Sequence, residues 1–364
     1  MNVPLIDLKA QYRTIQNEIR EAIDAVLESQ KFILSDRVKE IENETARFCE
    51  TAHAIGCASG TDAILLSLLA AGVQEGDEVI TTSYSFFATA GMIAWVKAKP
   101  VFVDIDPATF NMKMDAVKAK VTNRTRAIVA VHLFGQCART EELEGLGIPV
   151  IEDACQSIGA SRYGRKAGSL GFTGCFSFFP TKNLGGYGDG GMITTHSNDT
   201  ALKLRQLRSH GESSQYHHSS VGTNSRLDEL QAAVLSVKFR YLEQWNRKRA
   251  EHAGYYEENM SGLPLRLPRT DTGNHSIHHQ YIILTENRDR LKQFLADHGI
   301  GTAIYYPLPL PHQPCFSYLG LKPGQFPGAE LCAAQSLALP IHPEMTQQQQ
   351  EYVASTIRSF YRSC

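Results

Sequence analysis

Long hydrophobic runs are missing from this sequence. The longest strongly apolar stretch, residues 63–73, is too short to cross a bilayer, which takes about 20 residues. We interpret it as a buried helix. The opening stretch MNVPLIDLKAQY lacks the basic segment and apolar core of a secretory signal. We therefore expect a cytoplasmic protein with no membrane partner.

A block of basic residues is also missing. The 36 Lys and Arg nearly balance the 38 Asp and Glu, for a formal net charge of −2. Without a cationic patch, nucleic acid is not expected as a partner. Hydrophobic residues make up 43% of the chain and charged residues 20%, which is the composition of a globular protein with a full core.

Paired cysteines are absent as well. No CxxC pair and no Cys/His cluster has the spacing of a zinc site, so we predict no metal centre. We expect reduced thiols, with a catalytic cysteine as a minor alternative because buried cysteine usually behaves as a small hydrophobe. The eight cysteines are Cys49, Cys57, Cys137, Cys155, Cys175, Cys315, Cys332 and Cys364.

Short apolar runs alternate with helical stretches from residue 53 onward. The runs are HAIGCAS, EVITTS, KPVFVDI, RAIVAVHLF and IPVIED, and the helical stretches begin near residues 60, 85, 115 and 140. This alternation predicts an α/β fold with a mostly parallel sheet and helices on both faces. Ligands lie at the carboxyl ends of such strands, which is where Ser59, Asp153 and Gln156 fall.

The chain of 364 residues is long enough for about two domains. Apolar spacing predicts helices over 12–28 and from 35 to about 49, and a long helical region over about 227–258. The last third contains the strand HQYIILT, a helix over 288–298, the loop YYPLPLPHQP and two closing helices. We predict a large domain, 1–250, and a smaller C-terminal α+β domain, 251–364.

The strongest chemical signal is the lysine in SFFPTKNLGGYGDGG, residues 177–191. Lys182 stands between an apolar strand and a glycine-rich turn. A buried lysine has a lowered pKa and can act as a neutral amine nucleophile, which Schiff-base formation with an aldehyde cofactor requires. On this motif alone, a surface lysine in a flexible loop remains an alternative.

The stretch VIEDACQSIGA, residues 150–160, places Asp153 at the end of an apolar strand. A carboxylate there can face the ring nitrogen of a pyridine-type cofactor and keep it protonated. Gln156 can hydrogen-bond the ring oxygen. A helix N-cap is the alternative interpretation of Asp153.

The stretch SGTDAILLSLL, residues 59–69, follows a strand and opens a helix. A helix N-terminus offers unpaired N–H groups and a positive dipole end, so Gly60 and Thr61 are natural phosphate donors. Ser-Gly-Thr-Asp is also an ordinary helix cap, and this alternative stays open.

The stretch SYSFFATA can supply an aromatic ring to stack on a planar cofactor. Phe86 and Phe87 are adjacent and point in different directions, so only one can stack. Placement of both in the core is the alternative.

The stretch VGTNSRLDELQAAVL carries Asn224 and Arg226 just before a helix. Arg226 can hold a carboxylate or phosphate by a two-pronged contact. An ion pair with Asp228 is the alternative.

These five motifs, in this order and spacing, resemble the DegT/StrS family of nucleotide-sugar aminotransferases, which have the aspartate-aminotransferase (type I pyridoxal-phosphate) fold. The resemblance covers nearly the whole chain, from PLIDLKAQY to LPIHPEMT. It implies that Lys182 forms the Schiff base with pyridoxal 5'-phosphate and shuttles protons. Family members that are dehydratases carry histidine in place of this lysine, so transamination is expected here, with glutamate as the amino donor.

The resemblance also implies the remaining cofactor contacts. Asp153 would pair with the pyridine nitrogen, Gln156 would lie by the ring oxygen and Phe86 would stack on the ring. The phosphate would be bound by Gly60, Thr61 and Ser177. Asn224 would reach the cofactor phosphate of the neighbouring subunit, which implies an obligate homodimer with shared active sites.

The substrate implied by the resemblance is a nucleotide-linked 3-keto sugar, of the UDP-2-acetamido-2-deoxy-3-oxo-hexuronate type or the dTDP-3-keto-6-deoxyhexose type. Such an enzyme would serve lipopolysaccharide or other amino-sugar biosynthesis. The hexuronate branch usually has Tyr at the position of Phe32 and His at that of Tyr305, which argues against a carboxylated sugar. The residues expected to contact substrate are Gln30, Phe32, Thr181, Arg226, Tyr305 and Tyr306.

Three alternative functions stay open at this point. One is amination of a 4-keto sugar nucleotide. Another is an amino-acid aminotransferase, which needs an arginine for the α-carboxylate that none of Arg266, Arg269, Arg288 and Arg290 clearly supplies. The third is a non-catalytic pyridoxal-phosphate-binding regulator. His217 and His218 are either substrate contacts or part of a solvated loop.

Overall fold

The computed structural model describes residues 1–362. Its strands are β1 (His53–Cys57), β2 (Glu78–Thr82), β3 (Lys99–Val103), β4 (Thr125–Val131), β5 (Val150–Asp153), β6 (Ser161–Arg162), β7 (Arg165–Lys166), β8 (Thr173–Ser177), β9 (Gly191–Thr195), β10 (Glu212–Ser214), β11 (His217–His218), β12 (Asn274–His275), β13 (Tyr281–Leu284) and β14 (Ser336–Leu339). Its helices are α1 (Leu8–Ser29), α2 (Asp36–Phe48), α3 (Gly60–Ala70), α4 (Ala88–Trp95), α5 (Met114–Lys120), α6 (Asn198–Leu207), α7 (Glu229–Phe239), α8 (Leu242–Met260), α9 (Arg288–Asp297), α10 (Pro327–Gln335) and α11 (Gln347–Arg362).

A seven-stranded sheet in the order β1-β9-β8-β5-β4-β2-β3 forms the centre of the fold. The neighbours from β8 to β3 are all parallel, and β9 runs antiparallel to both β1 and β8. The predicted mostly parallel α/β sheet is therefore confirmed. The parallel strands end on the same edge, and the loops that leave this edge build the site described below.

Both faces of the sheet are covered because successive side chains of a strand point to opposite sides. Phe176 and Met192 pack in one apolar cluster with α2 and α7. Their chain neighbours Cys175 and Ile193 pack in another cluster with α3 and α6. Continuous apolar strands, such as β4, are what a sheet buried on both faces requires.

The predicted helices are present, with two corrections. The long helical region over 227–258 is two helices, α7 and α8, which break at residues 240–241. The helix expected near residue 140 is a single 3-10 turn, Thr140–Leu143. It stops early because Gly145 and Gly147 adopt left-handed backbone, with φ of 87° and 68°.

The last third of the chain forms its own apolar cluster around β13, β14, α9 and α11. Val3 also belongs to this cluster, through backbone hydrogen bonds to Gly299 and Gly301 of 2.9 and 2.8 Å. The predicted boundary at residue 250 falls inside α8, and the division into two domains stays a prediction.

Within residues 1–362, no helix is both long enough and apolar enough to cross a bilayer. The seven cysteines from Cys49 to Cys332 are free thiols. Cys364 lies outside the described residues.

Candidate active site

A cavity of about 580 Å³ opens at the carboxyl edge of the parallel strands. Its walls come from the segments that follow β1, β2, β5 and β8, together with residues 279–280 and 304–306. Ten of the residues predicted for the site line it: Gly60, Thr61, Phe86, Asp153, Gln156, Ser177, Thr181, Lys182, Tyr305 and Tyr306.

Lys182 is enclosed in the protein, and part of its side chain faces the cavity. Burial lowers the pKa of its ammonium below the ordinary value, while the carboxylate of Asp153 opposes the shift. A lysine with a lowered pKa offers more neutral amine near neutral pH. The surface-loop alternative for Lys182 is therefore wrong.

The backbone around Lys182 is held by a tight turn. The Lys182 N–H donates to the Phe179 carbonyl at 2.8 Å, and the Gly186 N–H donates to the Phe178 carbonyl at 2.7 Å. A Cβ on Gly185 would lie 2.3 Å from the carbonyl oxygen of Pro180, so only glycine fits there. The glycine-rich sequence after the lysine thus fixes where the lysine points.

Asp153 ends β5 with its carboxylate in the cavity and is 6% exposed. One oxygen accepts the Thr89 hydroxyl at 2.7 Å, and the other accepts the Cys155 N–H at 3.3 Å. The chain after Asp153 forms turns, so the N-cap alternative is wrong. The carboxylate is therefore oriented and able to accept a further hydrogen bond from a group in the cavity.

The oxygen and the nitrogen of the Gln156 side-chain amide are both hydrogen-bonded within the protein. Its Oε1 accepts the Phe134 N–H at 3.0 Å, and its Nε2 donates to the Tyr306 hydroxyl at 3.0 Å. The structure thus places Gln156 against Tyr306 on the cavity wall, and one of its two N–H donors is already in use.

The N-terminus of α3 points its free N–H groups at the same cavity. Ser59 caps the helix by accepting the Asp62 N–H at 3.0 Å, so the cap interpretation is confirmed, and the role of Gly60 and Thr61 as phosphate donors stays a prediction. A Cβ on Gly60 would lie 2.6 Å from Cβ of Ser177 and 2.8 Å from Sγ of Cys155. The close approach allowed by glycine brings the helix end and the Ser177 hydroxyl together, as an anion site requires.

Phe86 and Phe87 point in different directions, as predicted. Phe86 is 57% exposed and lines the cavity, with its ring 6.4 Å from that of Tyr306. Phe87 stacks on Phe316 at 5.8 Å outside the cavity lining. The alternative in which both rings are core is wrong.

The other four predicted residues, Gln30, Phe32, Asn224 and Arg226, do not line this cavity. They lie on two segments that contact each other, because the Phe32 carbonyl accepts the Glu229 N–H at 3.1 Å and Ile33 bridges to Asp228. Asn224 is exposed and Phe32 is 38% exposed. Within one chain, these residues form a second surface.

Several site residues were missed by the sequence reasoning. Three of them line the cavity: Cys155, His279 and Gln280. The fourth, Thr89, donates its hydroxyl to the carboxylate of Asp153. Thr89 belongs to the stretch SYSFFATA, four residues after Ser85. In a helical turn this spacing brings the two hydroxyl groups together, and it could have indicated a role for Thr89. His217 and His218, considered as substrate contacts, form an exposed strand outside the cavity lining.

The set of groups in the cavity fits pyridoxal phosphate. A buried lysine amine suits an aldehyde, an oriented carboxylate suits a protonated ring nitrogen, an exposed ring suits stacking, and a helix N-terminus suits a phosphate. Each of these groups is supplied by a different strand end of one sheet edge.

Comparison with known proteins gives a consistent result. A family model described as the DegT/DnrJ/EryC1/StrS aminotransferase family matches residues 13–358. A pleiotropic regulatory protein of Geobacillus stearothermophilus is 50% identical, over 100% of this chain and 99% of that protein. A UDP-N-acetyl-3-dehydro-alpha-D-glucosamine 3-aminotransferase of Acidithiobacillus ferrooxidans is 42% identical, over 98% of this chain and 97% of that protein.

Among solved structures, S. venezuelae DesV in complex with a ketimine intermediate is similar to this chain with a TM-score of 0.96. The two are 38% identical, and the match covers 99% of this chain and 98% of that one.

Proposed function

The chain belongs to the DegT/DnrJ/EryC1/StrS aminotransferase family, and from this we propose that it moves an amino group from glutamate to the keto group of a nucleotide-linked 3-keto sugar. The predicted type I aminotransferase fold is confirmed by the likeness to DesV. The observation that carries the proposal is that Lys182 and the oriented carboxylate of Asp153 share one cavity with the N-terminus of α3.

The cofactor is pyridoxal phosphate, which supplies an aldehyde and an electron-accepting pyridine ring. The Nζ of Lys182 would supply the nucleophilic amine for this aldehyde and would move the proton to and from the carbon that bears the amino group. The carboxylate of Asp153 would accept the ring N–H and keep that proton in place. The N–H groups of Gly60 and Thr61 and the hydroxyl of Ser177 bind the phosphate, and Phe86 orients the ring by stacking.

The sugar is expected to carry no carboxylate. Phe32 and Tyr305 stand where the hexuronate branch usually has Tyr and His, which removes a hydroxyl at the first position and replaces an imidazole with a phenol at the second. The name of the A. ferrooxidans relative specifies a UDP-linked 3-keto sugar without a carboxylate. We therefore favour a UDP-linked 3-keto amino sugar, with the dTDP-linked 3-keto-6-deoxyhexose and the uronate as the other acceptors to test, in amino-sugar or surface-polysaccharide biosynthesis.

The active protein is proposed to be a homodimer with shared sites. The surface formed by Gln30, Phe32, Asn224 and Arg226 lies outside the cavity of its own chain. In a two-fold dimer, one such surface on each subunit can complete the cavity of the other. Asn224 would then contact the phosphate of the cofactor, and Arg226 would contact the substrate. A cytoplasmic location is proposed because the seven described cysteines are free thiols.

The proposed function is tested by supplying glutamate and a panel of UDP- and dTDP-linked 3-keto and 4-keto sugars to the pyridoxal-phosphate-loaded protein. The expected result is an amino sugar, detected by mass, with 2-oxoglutarate released in equal amount. Lys182→Ala is the control that should form neither product. Retention of the cofactor without turnover of any keto sugar would favour a regulatory role, which the name of the G. stearothermophilus relative suggests.

A further inference from the structure

A chain of side-chain hydrogen bonds runs from the cavity wall into the core behind Lys182. His279 lines the cavity, and its Nδ1 lies 3.0 Å from Oδ1 of Asn183, the residue after Lys182. Asn183 donates from Nδ2 to Oδ1 of Asn246 at 2.7 Å, and Asn246 donates from Nδ2 to the Ile158 carbonyl at 3.0 Å. The three side chains are buried, so water does not compete for these bonds.

The direction of this chain is fixed by two backbone carbonyls, which can only accept. Asn246 must turn its NH2 group toward Ile158, so its Oδ1 faces Asn183. Asn183 must turn its NH2 group toward that oxygen and toward the Ile277 carbonyl, 3.3 Å away. The Oδ1 of Asn183 therefore faces His279, and the Nδ1 of His279 has to carry a proton.

The backbone makes room for this chain. A Cβ on Gly159 would lie 2.6 Å from Nδ2 of Asn246, and Gly159 has a φ of 95° that other residues rarely adopt. The N–H of His279 donates to the Phe134 carbonyl at 3.0 Å, which fixes the base of the imidazole. The hydrogen-bond chain is thus supported at both ends by the surrounding structure.

Two features of the structure disfavour a second proton on the His279 imidazole. Burial lowers the pKa of His279 well below its ordinary value, and the nearby guanidinium of Arg249 lowers it further. Arg249 is itself buried and donates to the His279 carbonyl at 3.1 Å. The other titratable groups along this cavity are Asp153, Cys155, Asp189, Tyr305 and Tyr306. With one proton on Nδ1, the imidazole has a lone pair on Nε2.

We propose that His279 is a positioning residue that offers Nε2 as a hydrogen-bond acceptor to a sugar hydroxyl in the cavity, while its Nδ1 proton holds, through Asn183, the peptide that carries Lys182. The contact between Nε2 and a sugar hydroxyl rests on the proposed function. The protonation of Nδ1 and its hydrogen bond to Asn183 are independent of that function. A cavity wall that presents the Nε2 lone pair binds hydroxyl or ammonium groups, which can donate to it. It disfavours a carbonyl or carboxylate oxygen at the same place, because these groups can only accept.

The tautomer is tested directly on the cofactor-loaded protein labelled with 15N-histidine. Long-range proton–nitrogen spectra distinguish a protonated ring nitrogen from one with a lone pair, and the His279→Gln variant assigns the signals. The expected result is a protonated Nδ1 and an unprotonated Nε2 across pH 6 to 9. An Nε2–H tautomer, or an imidazolium near neutral pH, would overturn the proposal. This readout needs no turnover, so its failure is distinct from a failure of the proposed function.

Two substitutions of His279 separate its two roles. His279→Asn keeps an amide donor near the position of Nδ1 but has no group at Nε2, so kcat should change little and KM for the sugar should rise. His279→Gln reaches the Nε2 position but loses the bond to Asn183, so kcat should fall. Each loss should be about 3- to 10-fold, the usual value of one hydrogen bond. Equal effects of both variants on kcat and KM would indicate a merely structural role and overturn the proposal.

Asn183→Asp tests the link between the two residues. A carboxylate facing Nδ1 favours the imidazolium and raises the pKa of His279. The variant should therefore lose activity at acid pH, with a new acid limb in its pH profile and with the His279 nitrogen signals titrating. Asn123→Asp, the same change on an exposed turn, is the matched control. Unchanged His279 signals in Asn183→Asp would overturn the proposed link.

Discussion

Thr89 donates its hydroxyl proton to Asp153, with Oγ1 2.7 Å from Oδ2. The two residues are 64 positions apart in the chain, and both are buried. The Ser85 hydroxyl lies 3.1 Å from that of Thr89, so α4 and the loop before it orient the carboxylate at the end of β5. In the proposed function the carboxylate meets a ring nitrogen at a defined angle, and this contact would make Thr89 a positioning residue for Asp153.

Removing the Thr89 hydroxyl should weaken both cofactor retention and turnover. Hydrogen bonds to charged groups contribute about 1.5–3 kcal/mol, so Thr89→Ala should lower kcat/KM by about 10-fold or more. Thr89→Ser retains the hydroxyl and should stay near wild type. Steady-state kinetics and cofactor titration measure both effects, and equal losses in the two variants would assign the defect to packing.

Lys182→Ala should abolish amino transfer while the protein still folds. Loss of the positioned proton carrier should cost about 10²–10⁴-fold in kcat, and loss of the nucleophilic amine adds to this. Lys97→Ala, which removes an exposed lysine paired with Glu75, is the matched control. Product formation by mass spectrometry checks the result, and turnover by Lys182→Ala at the level of Lys97→Ala would refute the assignment.

Shared active sites predict complementation between two defective chains. Lys182→Ala and Arg226→Ala homodimers should each be nearly inactive. A mixed dimer has two cavities, and both residues are native in one of them, so the isolated mixed dimer should regain roughly half of wild-type activity. Two different affinity tags isolate the mixed dimer. If activity stayed at the level of the separate variants, the site would be contained in one chain.

Gly60→Ala should disturb the anion site at the N-terminus of α3. The added methyl group would lie 2.6 Å from Cβ of Ser177, so the helix end or the strand must shift. We expect weaker cofactor binding and a loss of stability of about 1–3 kcal/mol. Gly254→Ala, in the interior of α8 with nothing near its new methyl group, should be neutral or stabilising by about 0.5–1 kcal/mol. Urea unfolding and cofactor titration compare the two.

The stability of the protein should fall in acid partly because of His252. Burial, with contributions from nearby His342 and Arg249, lowers the pKa of His252 to about 4 from 6.5. Between these values the unfolded chain holds a proton that the folded chain does not, so the free energy of unfolding falls as pH drops from 6.5 to 4. One such proton contributes at most about 1.4 kcal/mol per pH unit.

His252→Gln should therefore make the decline of stability with acid shallower. The measurement is urea unfolding at several pH values and one fixed protein concentration. His196→Gln, on the exposed surface, is the matched control. A slope in His252→Gln as steep as that of His196→Gln would contradict the assignment.

The strands and the residues at their ends were predictable because they depend on local pattern. The apolar runs of β1 and β5 alone predict that Ser59 and Asp153 lie at one sheet edge. The antiparallel direction of β9 has a local cause as well. Residues 178–190 join β8 to β9 without a helix, whereas parallel neighbours are usually joined by a crossover that contains one.

The contacts that the sequence did not reveal depend on tertiary packing. Residues 240–241 carry no proline or glycine, and nothing local predicts the break between α7 and α8. In the structure, Phe239 packs against Phe48, and the Tyr241 hydroxyl donates to Glu18 at 2.5 Å. The approach of Thr89 to Asp153 and of His279 to Asn183 likewise joins segments that are far apart in the chain.

The pairing of Val3 with residues 299–301 brings the beginning of the chain to its last helix, where Met1 lies in a cleft with Tyr352 and Arg358. Met1 therefore lies beside α11, the last helix that the structure describes. A circularly permuted gene, with a short linker across this gap and new ends opened at the exposed turn between β10 and β11, should retain the fold.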